Sequence, residues 1–201
     1  MSRRDILDRY EILPDGRAVI EVSAASVSEL YNNFDRNAPF VRKDLDEELA
    51  SYLKDSVHEL GKQDFIVRFV LQQLPDAAQR SRVETSMATY FTYLAELERR
   101  DIWKALRRGG VLLLAGVMTI GLEFSVASTM QRLDPLAAKI LLEGLTILSW
   151  VAVWECTVTL LGRIPGAWRN RRRLQRLAKA ERQFTSLPVG GPDDVSRLRA
   201  P

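Results

Sequence analysis

Two long apolar stretches dominate the pattern of hydrophobic and polar positions along the chain. Residues 109–131 span 23 positions with a single charged side chain, and residues 140–162 span another 23 with two. A helix needs about 20 mostly apolar residues to cross the hydrocarbon of a bilayer, and it satisfies its backbone amides within its own segment. The pattern therefore predicts two transmembrane helices in one hairpin, closed by a short extracytoplasmic turn over residues 132–139.

Arginine and lysine flank this hairpin unevenly. The turn over residues 132–139 carries two, whereas residues 99–108 carry five and residues 163–179 carry seven. Because cytoplasmic loops carry the excess of positive charge, both termini are expected in the cytoplasm, with Trp103 and Trp168 as interfacial anchors on that side. The alternative is a soluble protein with a buried helical hairpin.

Shorter periodic segments fill the N-terminal region. Alternation over residues 17–23 predicts a strand, a helical period over 44–60 predicts an amphipathic helix, and the apolar run 65–71 predicts a second strand. A short helix is expected over 26–34, and a long helix is expected to begin at Pro75 and continue into the membrane. The result is a β-α-α-β-α unit. Two strands alone are marginally stable, so the sheet is expected to gain strands from a second copy or a partner.

The predicted fold is thus a membrane α-helical hairpin of two transmembrane helices with a small cytoplasmic α+β domain. The formal net charge of +3 gives little support to a nucleic-acid-binding protein. One cysteine excludes an intrachain disulfide, and the polar N-terminus lacks the apolar run of a cleaved signal peptide. The expected location is the bacterial inner (plasma) membrane.

In chain order, the predicted parts are a cytoplasmic α+β domain ending in a long helix (1–98), a basic juxtamembrane helix (99–108), the first transmembrane helix (109–131), the turn (132–139), the second transmembrane helix (140–162), a basic amphipathic helix (163–184) and a flexible tail (185–201).

Three glutamates inside the apolar stretches are candidate functional residues: Glu123, Glu143 and Glu155. A carboxylate in hydrocarbon must be neutralised, paired or placed in a wet cavity. If the hairpin turns near residues 133–134, residues whose numbers sum to about 267 share a depth, and Glu123 then lies beside Glu143. Two interpretations stay open, a proton or ion pathway assembled by several hairpins and interhelical hydrogen bonds that fix an oligomer. Lys139, four residues before Glu143, favours a local ion pair for that glutamate.

Small residues are the candidates for helix packing, because they let helix backbones approach closely in a membrane. On the second helix they form a stripe that includes Glu155, which is therefore expected to face protein rather than lipid. The predicted packing positions are Gly121, Ser125, Gly144, Ala152 and Thr159.

The basic segments form a candidate surface for the anionic lipids of the inner leaflet. After the hairpin, Trp168, Leu174 and Leu177 make a narrow apolar stripe among arginines, which is typical of a helix lying on a membrane. A nucleic-acid-binding arm is the less favoured alternative beside a membrane span. The residues predicted to bind the leaflet are Arg107, Arg108, Arg169, Arg171, Arg172, Arg173 and Arg176.

No catalytic constellation emerges from the sequence. With His58 as the only histidine and one cysteine, a Cys/His metal site within one chain is excluded. Ser51 and Lys54 match a Ser-x-x-Lys pattern, but no companion motif follows. The acidic cluster within residues 44–48 is expected to favour a helix dipole rather than a divalent metal. We therefore expect no cofactor, no metal and no enzymatic activity.

One segment resembles a known group of proteins. Phe34-Asp35-Arg36 and Asp44-Leu45-Asp46-Glu47-Glu48-Leu49, followed by a helix and an apolar strand, resemble the N-terminal region of uncharacterised bacterial membrane proteins. Those proteins combine a cytoplasmic α+β region with a C-terminal two-helix transmembrane hairpin. The resemblance covers about half of the chain and implies that architecture, without implying an activity.

Three functional hypotheses follow from these features. The leading one is a non-enzymatic, self-associating membrane protein that serves as an accessory, scaffold or sensor subunit, with the cytoplasmic domain contacting another copy or a protein partner. The second is an oligomeric ion- or proton-conducting pore that uses the intramembrane glutamates. A membrane-bound enzyme is the third.

Overall fold

A computed structural model describes residues 7–32, 44–129 and 135–186, which form four strands and four α-helices. They separate into two compact units. The first, here called the sheet unit, comprises Met1–Tyr93 together with Arg173–Pro201, and the second, the hairpin unit, comprises Leu94–Arg172. The protein is mostly helical, with a small α/β region in the sheet unit.

The sheet has the strand order β1-β2-β3-β4, and its strands are β1 (Glu11–Ile12), β2 (Ala18–Ala24), β3 (Phe65–Leu71) and β4 (Glu181–Ser186). β1 pairs antiparallel with β2, whereas β2, β3 and β4 are parallel. Parallel strands require crossover connections, which usually contain helices. The region is therefore α/β in its connections rather than the α+β arrangement expected from the sequence.

The central strand β3 is apolar at every position except Arg68, and every other side chain in it is buried. A near-continuous apolar run of this kind is typical of a strand with neighbours on both sides and both faces. On β2, Ala18, Ile20 and Val22 are buried while Glu21 and Ser23 are exposed, so one face of that strand meets the core. The strand bounds predicted from the sequence agree with the structure for β3 and within one residue for β2.

Helix α1 (Glu47–Leu60) connects β2 to β3. Its first turn is capped by Asp46, whose side chain accepts hydrogen bonds from the amides of Glu48 and Leu49. It ends at Gly61, whose φ of 62° is a left-handed conformation that favours glycine. The predicted short helix over 26–34 is a 3₁₀ turn at Val27–Leu30, and its remaining residues lie partly outside the described ranges.

Helix α2 (Ala77–Thr129) is one unbroken helix of 53 residues, as expected for a helix that runs on through Trp103. Helix α3 (Pro135–Val158) continues through a π-helical segment, Thr159–Arg163, into α4 (Ile164–Lys179). Pro165 lacks an amide hydrogen for the carbonyl four residues earlier, which accounts for the wider hydrogen-bonding pattern at this point. Both helices contain windows long and apolar enough to cross a membrane.

Strand β4 is a correction to the sequence analysis. Residues 163–184 were expected as one basic helix and 185–201 as a flexible tail, but the helix ends at Lys179 and Glu181–Ser186 pair with β3. The sheet therefore takes an additional strand from its own chain, not only from a second copy or partner. The whole of α2, α3 and α4 lies in the connection between β3 and β4.

Helix α4 also differs from its predicted role. Leu174 and Leu177, expected to form a lipid-facing stripe with Trp168, are both 2% exposed. They lie in the part of α4 that belongs to the sheet unit. Their burial shows that this part of the apolar stripe faces the protein core. A sheet buries its apolar face against another element, and here the C-terminal part of α4 supplies that element.

Candidate functional site

The hairpin unit holds the candidate functional residues, and a face of small residues holds its helices together. A Cβ added at Gly116 would lie 3.4 Å from the Cβ of Ala152 and 3.6 Å from the carbonyl oxygen of Ser149. One added at Gly109 would lie 3.8 Å from the Sγ of Cys156. These contacts place α2 and α3 antiparallel with the depth relation expected from the sequence, in which paired residue numbers sum to about 267.

The packing face within this chain is rotated from the stripe expected from the sequence. Thr159 is buried and Ala152 touches Gly116. In contrast, a Cβ at Gly121 or Gly144 would meet no atom within 4 Å, and Ser125 is exposed. Periodicity locates a stripe of small residues, but it does not say which of two adjacent stripes faces the partner helix. In the structure, the stripe at the helix contact contains glycine on α2 and serine, alanine and cysteine on α3.

Glu123 bonds across the hairpin to a residue that sequence reasoning did not select. The hydroxyl of Thr146 lies 2.8 Å from Oε1 of Glu123, to which it donates, and 3.0 Å from the carbonyl oxygen of Leu142. A cavity of about 320 Å³ adjoins this contact, and it is lined by Ile120, Glu123, Thr146, Ser149, Trp150 and Val153. Glu123 therefore has an interhelical hydrogen bond instead of the predicted neighbour Glu143. The only sequence feature that pointed to this contact was a polar residue, Thr146, three positions after Glu143.

The other two glutamates each lie beside a cation. Oε1 of Glu155 lies 3.5 Å from a guanidinium nitrogen of Arg108 on the facing helix. Oε1 of Glu143 lies 3.9 Å from Nζ of Lys139, as the local ion pair predicted. All three glutamates thus have polar partners within one chain, which suits the hydrogen-bonding interpretation of these residues without requiring a continuous pathway.

Basic residues near the ends of the apolar segments fall into two groups, those that pair with a carboxylate and those that do not. On α2, Arg99 and Arg100 pair with Glu96, and Lys104 pairs with Asp101. Within the described ranges, the second group lies within 4 Å of no carboxylate. Its members in the hairpin unit are Arg107, Arg163, Arg169, Arg171 and Arg172.

The two predicted interfacial tryptophans are both accessible. Trp103 is 66% exposed and Trp168 is 44% exposed. The guanidinium carbons of Arg171 and Arg172 lie 5.8 Å and 5.9 Å from the centre of the Trp168 ring, within the range of cation–π attraction. Trp168 and its two arginines form a group that we call the Trp168 cluster.

Arg176 has a structural contact that its predicted role in lipid binding did not include. Its guanidinium donates to the carbonyl oxygens of Gly61 and Gln63 and lies 5.0 Å from the centre of the Phe65 ring. These partners are the end of α1 and the start of β3. The contact therefore fixes α4 to the sheet, and no sequence period could have revealed it.

Buried charge also marks the junction of α4 and β4. Arg182 donates to the carbonyl oxygens of Leu177 and Ala178, at 3.0 Å and 3.2 Å. Burial lowers the pKa of this guanidinium, while the charge of Glu84 opposes that change. A cation at the last carbonyls of a helix complements the helix dipole, so Arg182 caps α4 at the point where the chain enters the sheet.

The second face of the sheet carries a row of polar residues. Glu21, Arg68 and Gln183 are register partners on three neighbouring strands. Arg68 is 19% exposed, and its guanidinium lies 2.5 Å from Glu11 and 3.9 Å from Glu21. Two carboxylates more than neutralise this one arginine, so the recess that Glu21, Arg68 and Gln183 line has no positive charge left over to attract an anion.

The residues considered for catalysis do not assemble into a site. Asp46 caps α1, and the described residues contain no group of three His, Cys, Asp or Glu side chains suited to a metal ion. His58, Ser51 and Lys54 are exposed on that helix. Comparison with protein families, with curated proteins and with solved structures found no match to this chain.

Proposed function

We propose that this chain is a two-pass protein of the bacterial inner membrane that acts as a non-enzymatic, self-associating accessory, scaffold or sensor subunit. The exposure of its apolar helices supports the membrane placement. Only 11% and 17% of the two apolar windows are buried in the protein. A helix in the core of a soluble protein would have most of such a window buried, and soluble monomers rarely expose apolar patches this large.

The charges at the helix ends support an orientation with both termini in the cytoplasm. The basic residues lie on the side of the hairpin unit from which α2 enters and α4 leaves, and the turn has few cations. The same orientation puts all four strands of the sheet unit in the cytoplasm. Lipid headgroups of the inner leaflet then meet the basic segments.

Two surfaces support self-association or binding of a protein partner. In the hairpin unit, Gly121 and Gly144 have open space where a Cβ would stand, so a neighbouring helix can approach their backbones. In the sheet unit, β4 is an edge strand whose outer side pairs with no strand among the described residues. An edge strand offers amides and carbonyls to a partner strand. These surfaces fit a subunit of a larger assembly.

The first test is the mass and polypeptide content of the full-length complex extracted in mild detergent. A closed homo-oligomer or a stoichiometric second polypeptide is expected. Cysteine cross-linking in a Cys156→Ser background locates the contact. Gly144→Cys should give oxidant-dependent dimers, whereas Gly116→Cys, which faces Ala152 of its own chain, should not. A strict monomer without a bound partner would contradict the proposal.

A conducting oligomer is the second candidate, and the cavity beside Glu123 is the observation that favours it. Two helices cannot enclose a pore, so conduction requires several hairpins. Proton or ion flux into liposomes that contain the purified oligomer tests this function. Loss of flux in Glu123→Gln and Glu155→Gln would support it, and unchanged flux would remove these glutamates from any pathway.

A further inference from the structure

The charge distribution after the hairpin is unusual. Between Glu155 and Glu181 the sequence has no acidic residue, whereas seven arginines and lysines lie in that interval. Within the hairpin unit, the cations of this interval have no carboxylate within 4 Å among the described residues, unlike Arg99 and Lys104 on α2. Internal ion pairs do not neutralise the positive charge of these residues, so it is available to an anionic partner.

Contacts between the helices show what faces this interval. Asn170 donates a hydrogen bond to Glu98, and Arg108 lies beside Glu155. The segment of α2 from 98 to 108 therefore runs alongside the chain from 155 to 170. Glu98 and Glu155 are engaged by these contacts, and Asp101 is engaged by Lys104. The acidic side chains of the facing segment thus do not neutralise the arginines of the Trp168 cluster.

The Trp168 cluster holds its guanidinium groups in place without a carboxylate. Both lie within 6 Å of the centre of one half-exposed ring, and the buried Nε–H of Arg171 donates to no partner among the described residues. Cation–π attraction at this distance favours guanidinium groups near the ring, while their exposed N–H groups can still donate to phosphate oxygens. Such a group binds an anion without first breaking an ion pair, which lowers the cost of binding.

The cluster also has the right depth for a lipid headgroup. Arg163 is the first charged residue after the apolar part of α3, and Trp168 follows five positions later. At 1.5 Å per residue, Trp168 lies about 7.5 Å along the helix axis beyond Arg163, and Arg171 and Arg172 lie about 12–13.5 Å beyond it, with long side chains that can reach back toward the membrane. These distances correspond to the interfacial layer, where tryptophan and arginine meet headgroups.

We propose that Trp168, Arg171 and Arg172 form a selective binding site for the phosphate of an anionic phospholipid such as phosphatidylglycerol. The inference rests on the proposed membrane placement of the hairpin and adds a defined ligand to it. Diffuse attraction to a negative surface would depend on total charge alone. A specific binding site depends instead on these two guanidinium groups and on their planar arrangement of donors.

The experiment measures retention of phosphatidylglycerol against phosphatidylcholine on the full-length protein by native mass spectrometry. Wild-type protein is expected to retain phosphatidylglycerol preferentially. Arg171→Gln with Arg172→Gln should weaken retention about 30-fold, since each cation near the surface contributes roughly fivefold. The matched control, Arg99→Gln with Arg100→Gln, removes the same charge from paired residues and should change retention little.

A second variant separates geometry from charge. Arg171→Lys with Arg172→Lys keeps both charges but loses the planar donors, and it should retain less phosphatidylglycerol than wild type. Equal loss in both glutamine pairs, or full retention in the lysine pair, would overturn the site in favour of diffuse charge. Displacement of the lipid by an equimolar amount of inorganic phosphate or of a single-stranded oligonucleotide would also overturn it, because the site would then not favour a lipid over another phosphate.

Failure of this site is distinguishable from failure of the membrane placement. Resistance to alkaline extraction from native membranes reports insertion of the hairpin whatever its lipid preference. Resistant protein with no preference for phosphatidylglycerol would overturn only the lipid site. Complete release by alkali would overturn the membrane placement and the lipid site together.

Discussion

Gly116 is the residue on which the packing of the hairpin depends most directly. Its missing side chain lets α2 approach the backbone of Ser149 and the methyl group of Ala152. Gly110, six residues earlier on the same helix, has no such neighbour within 4 Å and lies outside the proposed self-association surface. Substituting each glycine in turn separates the loss of a packing contact within one chain from the general effect of adding a side chain to α2.

We expect Gly116→Val to destabilise the hairpin and Gly110→Val to leave it unchanged. Overpacking of a close helix contact costs about 1–3 kcal/mol. The measurement is the thermal midpoint of the full-length protein in detergent, in parallel with Gly116→Ala, whose single carbon fits at ordinary contact distance. An equal loss of stability in both valine variants would show that Gly116 is not a packing position.

A second prediction at the residue scale concerns acid sensitivity of the sheet. The hydrogen bond from Arg17 holds the pKa of Glu181 below the ordinary range of a glutamate, and Nη1 of Arg17 lies 2.5 Å from its Oε2. A carboxyl whose pKa is lower in the folded state stabilises that state above its unfolded pKa and loses this contribution as pH falls through the folded value. The contact joins β4 to the residue before β2.

We therefore expect exchange protection of amides in β4 to be greatest near neutral pH and to decline as pH falls below the ordinary pKa of a glutamate and through the lower pKa of Glu181 in the folded state. Glu181→Gln should flatten this dependence, whereas Asp55→Asn, which removes an exposed carboxylate without a partner in the described ranges, should not. Hydrogen–deuterium exchange corrected for intrinsic rates is the measurement. An unchanged acid limb in Glu181→Gln would rule out this ion pair as its cause.

At the scale of elements, α4 is attached to the sheet by Arg176. Its guanidinium reaches two carbonyl oxygens at the junction of α1 and β3 and lies over Phe65. Arg173, three residues earlier, makes no ion pair within the described ranges and serves as a matched control. The attachment depends on two donors in one plane, which lysine does not have.

We expect Arg176→Ala to lower the free energy of unfolding of the sheet unit by about 1–3 kcal/mol, since two carbonyl oxygens lose a charged donor. Arg176→Lys should recover only part of this loss, and Arg173→Ala should have little effect. Chemical denaturation of the full-length protein in detergent measures the difference. Full recovery with lysine would mean that charge, not the paired hydrogen bonds, holds the helix.

The elements that the sequence predicted well are those determined by local pattern. The run Phe65–Leu71 is apolar enough to predict a strand, and Gly61 marks the end of α1, although the helix begins at Glu47, three residues after the predicted start. β4 was missed because Glu181–Ser186 contains one apolar residue, Phe184, and pairs with a strand more than 100 residues earlier. The Thr146–Glu123 bond was missed because it depends on helix rotation, which periodicity fixes only to within one stripe.

At the scale of the whole molecule, the topology of the hairpin is open to a direct test. In a Cys156→Ser background, Asp134→Cys should react with a membrane-impermeant thiol reagent from outside spheroplasts. Ser2→Cys and Ser196→Cys should react only after the membrane is opened. Labelling of Ser2→Cys and Ser196→Cys from opposite sides would contradict the two-pass topology, and unrestricted labelling of all three would contradict insertion.

The position of the hairpin between β3 and β4 has a consequence for biosynthesis. β3 and β4 are neighbours, yet β4 leaves the ribosome only after the entire hairpin has been made. In the proposed topology, the edge of β3 stays unpaired until the second span has returned the chain to the cytoplasm. A nascent chain whose hairpin stopped after one crossing would leave β4 on the wrong side and its sheet unfinished. In that topology, a chain that crosses the membrane only once cannot complete its sheet, and the edge of β3 stays open.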